Sequence, residues 1–494
     1  MDTKALRQKI LDLAIRGKLV PQDPNDEPAE VLLERIREQK QQMFKEGKLK
    51  KKDIKNDTII FKGEDNLHYE KLQDGTVKCI EDEIPFEVPE GWAWCKLNDI
   101  YNFIDYRGAT PTKITNGIPL VTAKNVKSGY IDYTIDDYIS EEEFKERQQR
   151  GISKKGDILF TTEAPLGNAA LADMEKFSAG QRLITFQQYG SKNELINYVM
   201  LMFILSDFFQ QQLYVNKTGS TVAGIKAAIL KTLWIPVPPY NEQLRISNTL
   251  KSAINLIDSI SKNKEILSTS ISNTKSKILD LAIRGKIVPQ DPNDEPASVL
   301  LERIRAEKEE LIKQGKIKRD KKESVIFKGD DNSYYEKYGE KLPSGWVVTN
   351  FETILEYEQP TKYIVHDTNY KPTYKTPVLT AGKSFILGYT NETDNIFDDL
   401  PVIIFDDFTT ESKFVDFSFK VKSSAMKILH INQDLVLPKY AFYLMQATEI
   451  DHDNHQRYWI STYSQEIVAL PPINEQERIL TALEHYFNLL DTLQ

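Results

Sequence analysis

One stretch of this chain is stated twice. Ile10–Ala29 and Ile278–Ala297 differ only where Leu19 becomes Ile287, and they stand 268 positions apart. The likeness continues at that offset through "VLLERIREQKQQMFKEGKLKKK" (Val31–Lys52) and "VLLERIRAEKEELIKQGKIKRD" (Val299–Asp320). "IIFKG" (Ile59–Gly63) parallels "VIFKG" (Val325–Gly329), and "VPEGW" (Val88–Trp92) parallels "LPSGW" (Leu342–Trp346), now at offset 254. It fades for over a hundred residues, then returns as "PPYNEQLRI" (Pro238–Ile246) and "PPINEQERI" (Pro471–Ile479), at offset 233. So long a period is a domain duplication, not a solenoid. Each half has a shared opening, an unlike interior and a shared close.

The shared close leads into a helix. From Asn241 to Ile283 there is no Pro or Gly, and Gly285 and Pro289 follow. Steps of four and three pick out Ile246, Leu250, Ala253, Ile257, Ile260, Lys264, Leu267, Ile271, Thr274, Ile278 and Leu281, a seam that asks for a partner helix. Offset 233 carries Gln494 onto position 261, and offset 268 carries Met1 onto 269. The chain ends, laid end to end, therefore rebuild the central helix except for its 262–268 segment. They carry the same seam: Ile479, Leu483, Tyr486, Leu490 and Leu493, then Leu6, Ile10 and Leu13. The expectation is circular: the central helix pairs antiparallel with a second rod made from both termini.

A length of 494 residues suggests two to four domains. The opening is polar and helix-like rather than a signal peptide, and no run of 18 apolar residues occurs. With only Cys79 and Cys95, the chain suits a reducing cytoplasm. The formal net charge of −9 weighs against nucleic acid as a partner. Residues 101–232 hold 15 Lys/Arg against 14 Asp/Glu, and residues 350–465 hold 10 against 16, so any positive face is local.

In the first interior, "GDILFTT" (Gly156–Thr162) and "LITFQQY" (Leu183–Tyr189) read as strands, and Glu194–Leu213 reads as one apolar core helix. The second is strand-rich: "TPVLTAG", "PVIIFDDF", "KFVDFSFKV" and "AMKILHI", with "YAFYLMQAT" (Tyr440–Thr448) matching the helix of the first. "GSTVAGI" followed by "LWIPVPPYNEQLRI", with "TPVLTAGKSFILGYT" and "PVIIFDDFTT", resembles the specificity subunit of type I restriction–modification systems over nearly the whole chain. The resemblance implies an α/β (α+β) architecture: two mixed target recognition domains joined by long antiparallel coiled-coil helices with pseudo-two-fold symmetry. It places the split helix at 1–20, the first recognition domain with its arm at 21–239, the central helix at 240–285, the second recognition domain at 286–472 and the closing helix at 473–494. It implies a non-catalytic subunit that binds a bipartite, asymmetric double-stranded DNA site and scaffolds two modification (methyltransferase) and two restriction subunits. S-adenosylmethionine, ATP and Mg2+ then belong to those partners. Duplicated ends suit identical partners; unlike interiors suit unlike half-sites. The rivals are a fused nuclease or methyltransferase and a protein-only coiled-coil adaptor.

No residue reads as catalytic or metal-binding. "VPPY" (Val237–Tyr240) lacks the Asp or Asn of the adenine methyltransferase motif, and its twin reads "LPPI". No P-loop or cofactor-binding Gly-rich loop follows a strand. "DDFTTESK" (Asp406–Lys413) reads better as a strand-to-loop turn than as a nuclease motif, and "DHDNH" (Asp451–His455) better as a polar loop than as a metal site. DNA contact calls for cations, hydroxyls and amides on loops. In the first interior these are Arg107, Thr110, Thr112, Lys113, Lys124, Asn125 and Lys127, then Lys217, Thr218, Ser220, Thr221 and Lys226. In the second they are Lys362, Tyr363, Lys383, Ser384, Thr409, Thr410, Lys413, Lys422, Ser423 and Ser424. A basic run, Lys45–Lys55, is repeated at Lys313–Lys322, and reads equally as a partner or phosphate contact and as a solvated linker.

Overall fold

The uninterrupted segment after Pro239 forms one helix of 44 residues, Tyr240–Ile283. The structure is a computed structural model that describes residues 2–54, 57–106, 110–189, 194–219, 223–315, 342–380, 384–448 and 458–493. The chain divides inside that helix into two units, Met1–Asn263 and Lys264–Gln494. In the first unit the helix Thr3–Ile15 runs antiparallel to the early turns of the long helix. Arg7 pairs with Asp258, and Ser261 Oγ donates to Thr3 Oγ1 at 2.8 Å. Leu11, Ala14 and Ile15 share a core with Ile246 and Leu250. In the second unit the helix Ile473–Asp491 buries Ile479 and Leu483 against Leu279 and Ala282. Lys275 there meets Asp491 at 2.5 Å and lies 5.3 Å from the Phe487 ring centre.

The seam differs from its heptad reading. Ile246, Leu250, Ile257 and Ile271 are buried; Ile260, Ile278, Leu281 and Leu490 are half-buried. Ile254, Leu279 and Ala282 are buried as well, because a straight helix drifts from a strict seven-residue repeat. Leu267 is a correction: it is 42% exposed, and every residue from 262 to 270 is exposed. This is the stretch that the offsets leave without a counterpart in either chain end.

The repeated words build the same junction twice. Lys18 N bonds to Leu13 O and Gly17 N to Ala14 O, and the same pair of bonds joins Lys286 to Leu281 and Gly285 to Ala282. Both glycines sit at positive φ, +65° and +64°, in a left-handed helix C-cap. Trp92 Nε1 donates to Glu242 at 2.9 Å, and Trp346 Nε1 to Glu475 at 3.0 Å. Gln22 and Gln290 donate to the same two carboxylates at 3.1 and 3.2 Å. Arg245 reaches Asp26 at 2.5 Å, and Arg478 reaches Asp294 at 2.7 Å. The amides of Gln243 and Gln476 are fully buried; they accept from Ile196 N and Leu437 N and donate to Pro238 O and Pro471 O. Burial raises the carboxyls of Glu242 and Glu475 above their ordinary range, and the Trp and Gln N–H groups oppose that rise. A buried acceptor is costly unless paired, so each residue here needs its partner. That is a physical reason for the identity of the shared opening and the shared close.

The interiors share a topology despite unlike sequence. In the first unit a four-stranded antiparallel sheet runs Tyr101–Asp105, Leu183–Gln188, Ile158–Thr161, Ala169–Leu171. In the second it runs Leu355–Glu358, Met426–Ile431, Val402–Asp406, Ser412–Val415. Alternate residues feed two cores: Ile184 and Phe186 enter one while Leu183 and Leu159 enter the other. Ile403 and Phe405 are likewise separated from Val402 and Ile404. This explains the unbroken apolar runs. A three-stranded sheet accompanies each, with Ser178–Ala179 parallel to Ile118–Val121 and Lys420–Val421 parallel to Thr376–Leu379. The expected helix over Glu194–Leu213 is two, Asn197–Ile204 and Asp207–Val215. Ser206 divides them: its hydroxyl donates to Phe203 O and caps the second helix at Phe209 N. Its counterpart is Pro438–Ala447, since Ile196 and Leu437 make the same bond to the paired glutamines.

The first unit's arm adds a helix, Ala29–Lys45, and a three-stranded meander over Ile59–Cys79. Beneath it Lys40 is buried, donating to Asp57 at 2.6 Å and Asn98 O at 2.9 Å. Burial pushes nearby Asp99 up to about 6. Lys45, Lys48, Lys50 and Lys51 are exposed. Lys55, the repeat copy Lys316–Lys322 and "VIFKG" lie outside the described residues.

Candidate nucleic-acid interface

Strand register separates two ends of each four-stranded sheet. In the first unit Gln188 pairs with Tyr101 at the end nearest the junction, where Gln188 also binds Leu195. At the other end Ile184 pairs with Asp105, Leu183 with Thr161 and Phe160 with Ala169. The loops leaving that end are tied together. Thr110 Oγ1 donates to Gln181 at 2.7 Å, and Arg182 Nε meets Glu163 at 3.1 Å. Thr162 N donates to Arg182 O, Ile225 N to Thr162 O, and Glu163 bridges to Gly224. Asn168 Nδ2 donates to Val126 O, which brings in the 124–129 loop.

The second unit repeats this with other residues. Its far end carries the pairs Glu358 with Ile428, Asp406 with Met426 and Phe405 with Ser412. Lys422 N donates to Leu379 O, Thr380 N to Phe385 O and Val365 N to Val421 O. Gln359 donates to Ser424 O at 3.2 Å, and Asp407 N to Ala425 O. Lys362, Ser384, Thr409, Thr410, Lys422, Ser423 and Ser424 thus lie on neighbouring loops around one sheet end. Thr410 takes positive φ, +58°, in the turn, while Asp406 accepts from Phe408 N and Thr409 N.

The candidates separate by environment. Lys124, Lys226, Lys362, Lys422, Ser384 and Ser423 are exposed, and Lys413 is half-buried on its strand. Lys113 is tied to Asp137 at 2.6 Å, and Thr112 N donates to Glu143. Lys127 faces Asp132 at 3.8 Å. Lys217 lies 3.6 Å from the centre of the exposed Tyr214 ring, and Thr218 exchanges backbone bonds with Gly224. Asn125 is placed otherwise than its residue type suggests. It is 2% exposed, accepts from Thr122 N and Oγ1, and donates to Asp132 O and Ile135 O. Its amide is fully used in shaping the loop and has no donor left for a base. Tyr363 is also buried, packed edge-on against Phe397. Arg107, Ser220, Thr221, Lys383 and the 451–455 segment lie outside the described residues.

The sequence reading missed Gln181 and Arg182, whose only local signal is a polar pair between Gly180 and a strand. It also missed buried cations, Lys420 and Arg147 among them. Lys420, fully buried, meets Glu392 at 2.7 Å and Asp394 O at 2.9 Å. Burial alone would raise Glu392, but Lys420 and the N–H groups of Asp367 and His366 outweigh it and hold the carboxyl at about 2. Arg147 is buried in the first unit, donating to Ser178 Oγ at 3.0 Å and Ala179 O at 2.7 Å. Among the described residues there is no group of three or more His, Cys, Asp or Glu able to hold a metal, and no helix long and apolar enough to cross a membrane.

Residues 89–268 match the family described as the type I restriction modification DNA specificity domain. The type I restriction enzyme EcoEI specificity subunit of Escherichia coli is 31% identical over 395 residues, 69% of this chain and 60% of that protein. The chain is thus similar in sequence to type I specificity subunits. The EcoR124I/EcoR124II specificity subunit of Escherichia coli is 45% identical over 164 residues, covering 32% of this chain and 40% of the relative. The first relatives are spanned over 40 to 61% of their own length. A solved structure titled for complex assembly and conformational transition of the type I R-M system shares the fold, at TM-score 0.50 and 14% identity, over 83% of this chain and 93% of that one. In both units the junction corresponds to the repeated sequence and the far loops to the unlike interiors.

Proposed function

We propose that this chain is the sequence-reading subunit of a type I restriction–modification complex. Each unit addresses one part of a split, asymmetric DNA site through the loops at the far end of its four-stranded sheet. One observation carries the reading: in both units identical residues build the junction while unlike residues line the opposite loops. Two copies of one partner need like surfaces, and two unlike half-sites need unlike ones. Modification and restriction subunits, two of each, supply methyl transfer and cleavage in the cytoplasm, with S-adenosylmethionine, ATP and Mg2+ bound by them and not by this chain.

The test is to assemble the chain with its modification subunits, map methylated adenines, then exchange residues 90–237 for the interior of another family member. One part of the site is expected to change and the other to stay. Unchanged target bases, or methyl transfer by the purified chain alone, would overturn the reading.

A further inference from the structure

The two units place different residues at one equivalent turn. Gly180 N donates to Val121 O at 2.7 Å, immediately after the strand Ser178–Ala179 that runs parallel to Ile118–Val121. Lys422 N donates to Leu379 O at 3.1 Å, immediately after Lys420–Val421, which runs parallel to Thr376–Leu379. Each turn then feeds the second strand of its four-stranded sheet, at Leu183 and at Met426. Gly180-Gln181-Arg182 therefore occupies the place of the one-residue-longer turn Lys422-Ser423-Ser424-Ala425, with Arg182 O and Ala425 O accepting alike from Thr162 N and Asp407 N. Sequence alone does not align them, because neither neighbourhood is repeated.

The first unit's turn is held from every side. Arg147 clamps the strand before it from within the core. Arg182 O accepts from both N and Oγ1 of Thr162, at 3.1 and 3.2 Å. Gln181 Oε1 accepts from Thr110. Arg182 is exposed, and its ion pair with Glu163 engages Nε. The second unit supports its turn with a different buried cation: Lys427 donates to Gln359 at 2.6 Å, and Gln359 donates to Ser424 O in the turn. A fixed backbone carrying an exposed guanidinium and a half-exposed amide is what base reading needs. Bidentate pairing of Arg with guanine O6 and N7, and of Gln with adenine N6 and N7, depends on such placement.

Resting on the DNA-reading role proposed above, we infer that Gln181 and Arg182 are specificity-determining residues of the first unit, reading purine edges in the major groove. Arg182 takes a guanine and Gln181 an adenine. Thr110, Thr162 and Glu163 position them, and the Ser423–Ala425 stretch occupies the equivalent place in the second unit, with Ala425 where Arg182 stands.

The experiment uses the full chain assembled with its modification subunits, and duplexes in which each base pair of the mapped site is replaced in turn. Arg182→Ala is expected to weaken binding of the cognate duplex about tenfold to hundredfold and to abolish discrimination at one G·C pair only. Gln181→Ala relaxes one A·T pair in the same half-site. Arg182→Lys keeps the charge without the fork, so it relaxes the same G·C pair even where truncation impairs folding. Discrimination retained at every pair in both Arg182 variants would overturn the inference. So would uniform weakening with a salt slope about one unit shallower, the mark of a phosphate contact. A parent complex that discriminates no sequence would instead refute the DNA-reading role itself.

Discussion

The twin glycines give the sharpest quantitative test of the duplicated junction. A Cβ at Gly17 would lie 2.2 Å from Pro89 Cγ and 3.2 Å from Trp92 Cζ2, at φ +65°. At Gly285 it would lie 2.6 Å from Pro343 Cγ and 3.0 Å from Trp346 Cζ2, at φ +64°. A left-handed backbone costs an ordinary residue about 1–2 kcal/mol. Moving a packed proline ring adds about 1–3 kcal/mol. The stiffer unfolded chain of an alanine variant offsets about 0.4–1 kcal/mol. Gly17→Ala and Gly285→Ala should therefore each destabilise by about 1–5 kcal/mol, centred on ~3 kcal/mol. Gly47→Ala is the control: its φ is +72° but nothing lies within 4 Å, so it carries the backbone term without the clash. Urea unfolding followed by tryptophan emission reads both units, since Trp92, Trp94 and Trp234 belong to the first and Trp346 and Trp459 to the second. Gly17→Ala should shift the first unit's transition and Gly285→Ala the second's, with effects that add in the double variant. If Gly17→Ala costs no more than Gly47→Ala, the close contact of the helix cap with Pro89 is not a stabilising feature and the reasoning fails.

Other expectations concern single networks. Gln243→Ala and Gln476→Ala each strip a buried N–H and a buried carbonyl of their partner, and each should cost about 1–3 kcal/mol in urea midpoint titrations. Lys420→Met leaves Glu392 without its buried cation, a loss of about 3–5 kcal/mol confined to the second unit's transition. Glu392 is held at about 2, so its contribution is present above the ordinary glutamate range and lost as pH falls through about 2; the variant should lack that acid limb. Asp99 behaves oppositely. Burial lifts it to about 6, so the folded state holds its proton more tightly and stability falls as pH rises from about 4 to about 6. Asp99→Asn should flatten that fall in a pH series of urea midpoints, leaving the part due to Asp157, which burial also lifts to about 6. An unchanged slope would show that Asp99 is not protonated in that window.

Much of the architecture was legible because it was written twice. The offset arithmetic that leaves 262–268 without a counterpart foreshadows the exposed turns of the long helix, although the heptad count alone placed Leu267 in the seam. Alternation and apolar runs located the strands, since sheets packed on both faces keep Ile, Leu and Phe on both sides. Nothing in the apolar run Glu194–Leu213 marks a break, yet the Ser206 hydroxyl both ends one helix and starts the next. The loop candidates were harder because residue type does not reveal environment. Asn125 and Lys127 stand two positions apart; the first is sealed inside its turn while the second reaches an aspartate near the surface. Gln181 and Arg182 gain their meaning only from pairings with Thr110 and Glu163, which lie 71 and 19 positions away in sequence.

Matched sockets carry a consequence for inheritance. The fittings that receive an interior, Gly91 and Trp92 before it and Pro238, Glu242 and Gln243 after it, recur at Gly345, Trp346, Pro471, Glu475 and Gln476. An interior from either half, or from a foreign gene ending in the same fittings, would seat without redesign of the frame. Crossovers within the repeated words would then exchange whole readers, so new combinations could arise in one genetic step while the hardware that docks them stayed untouched.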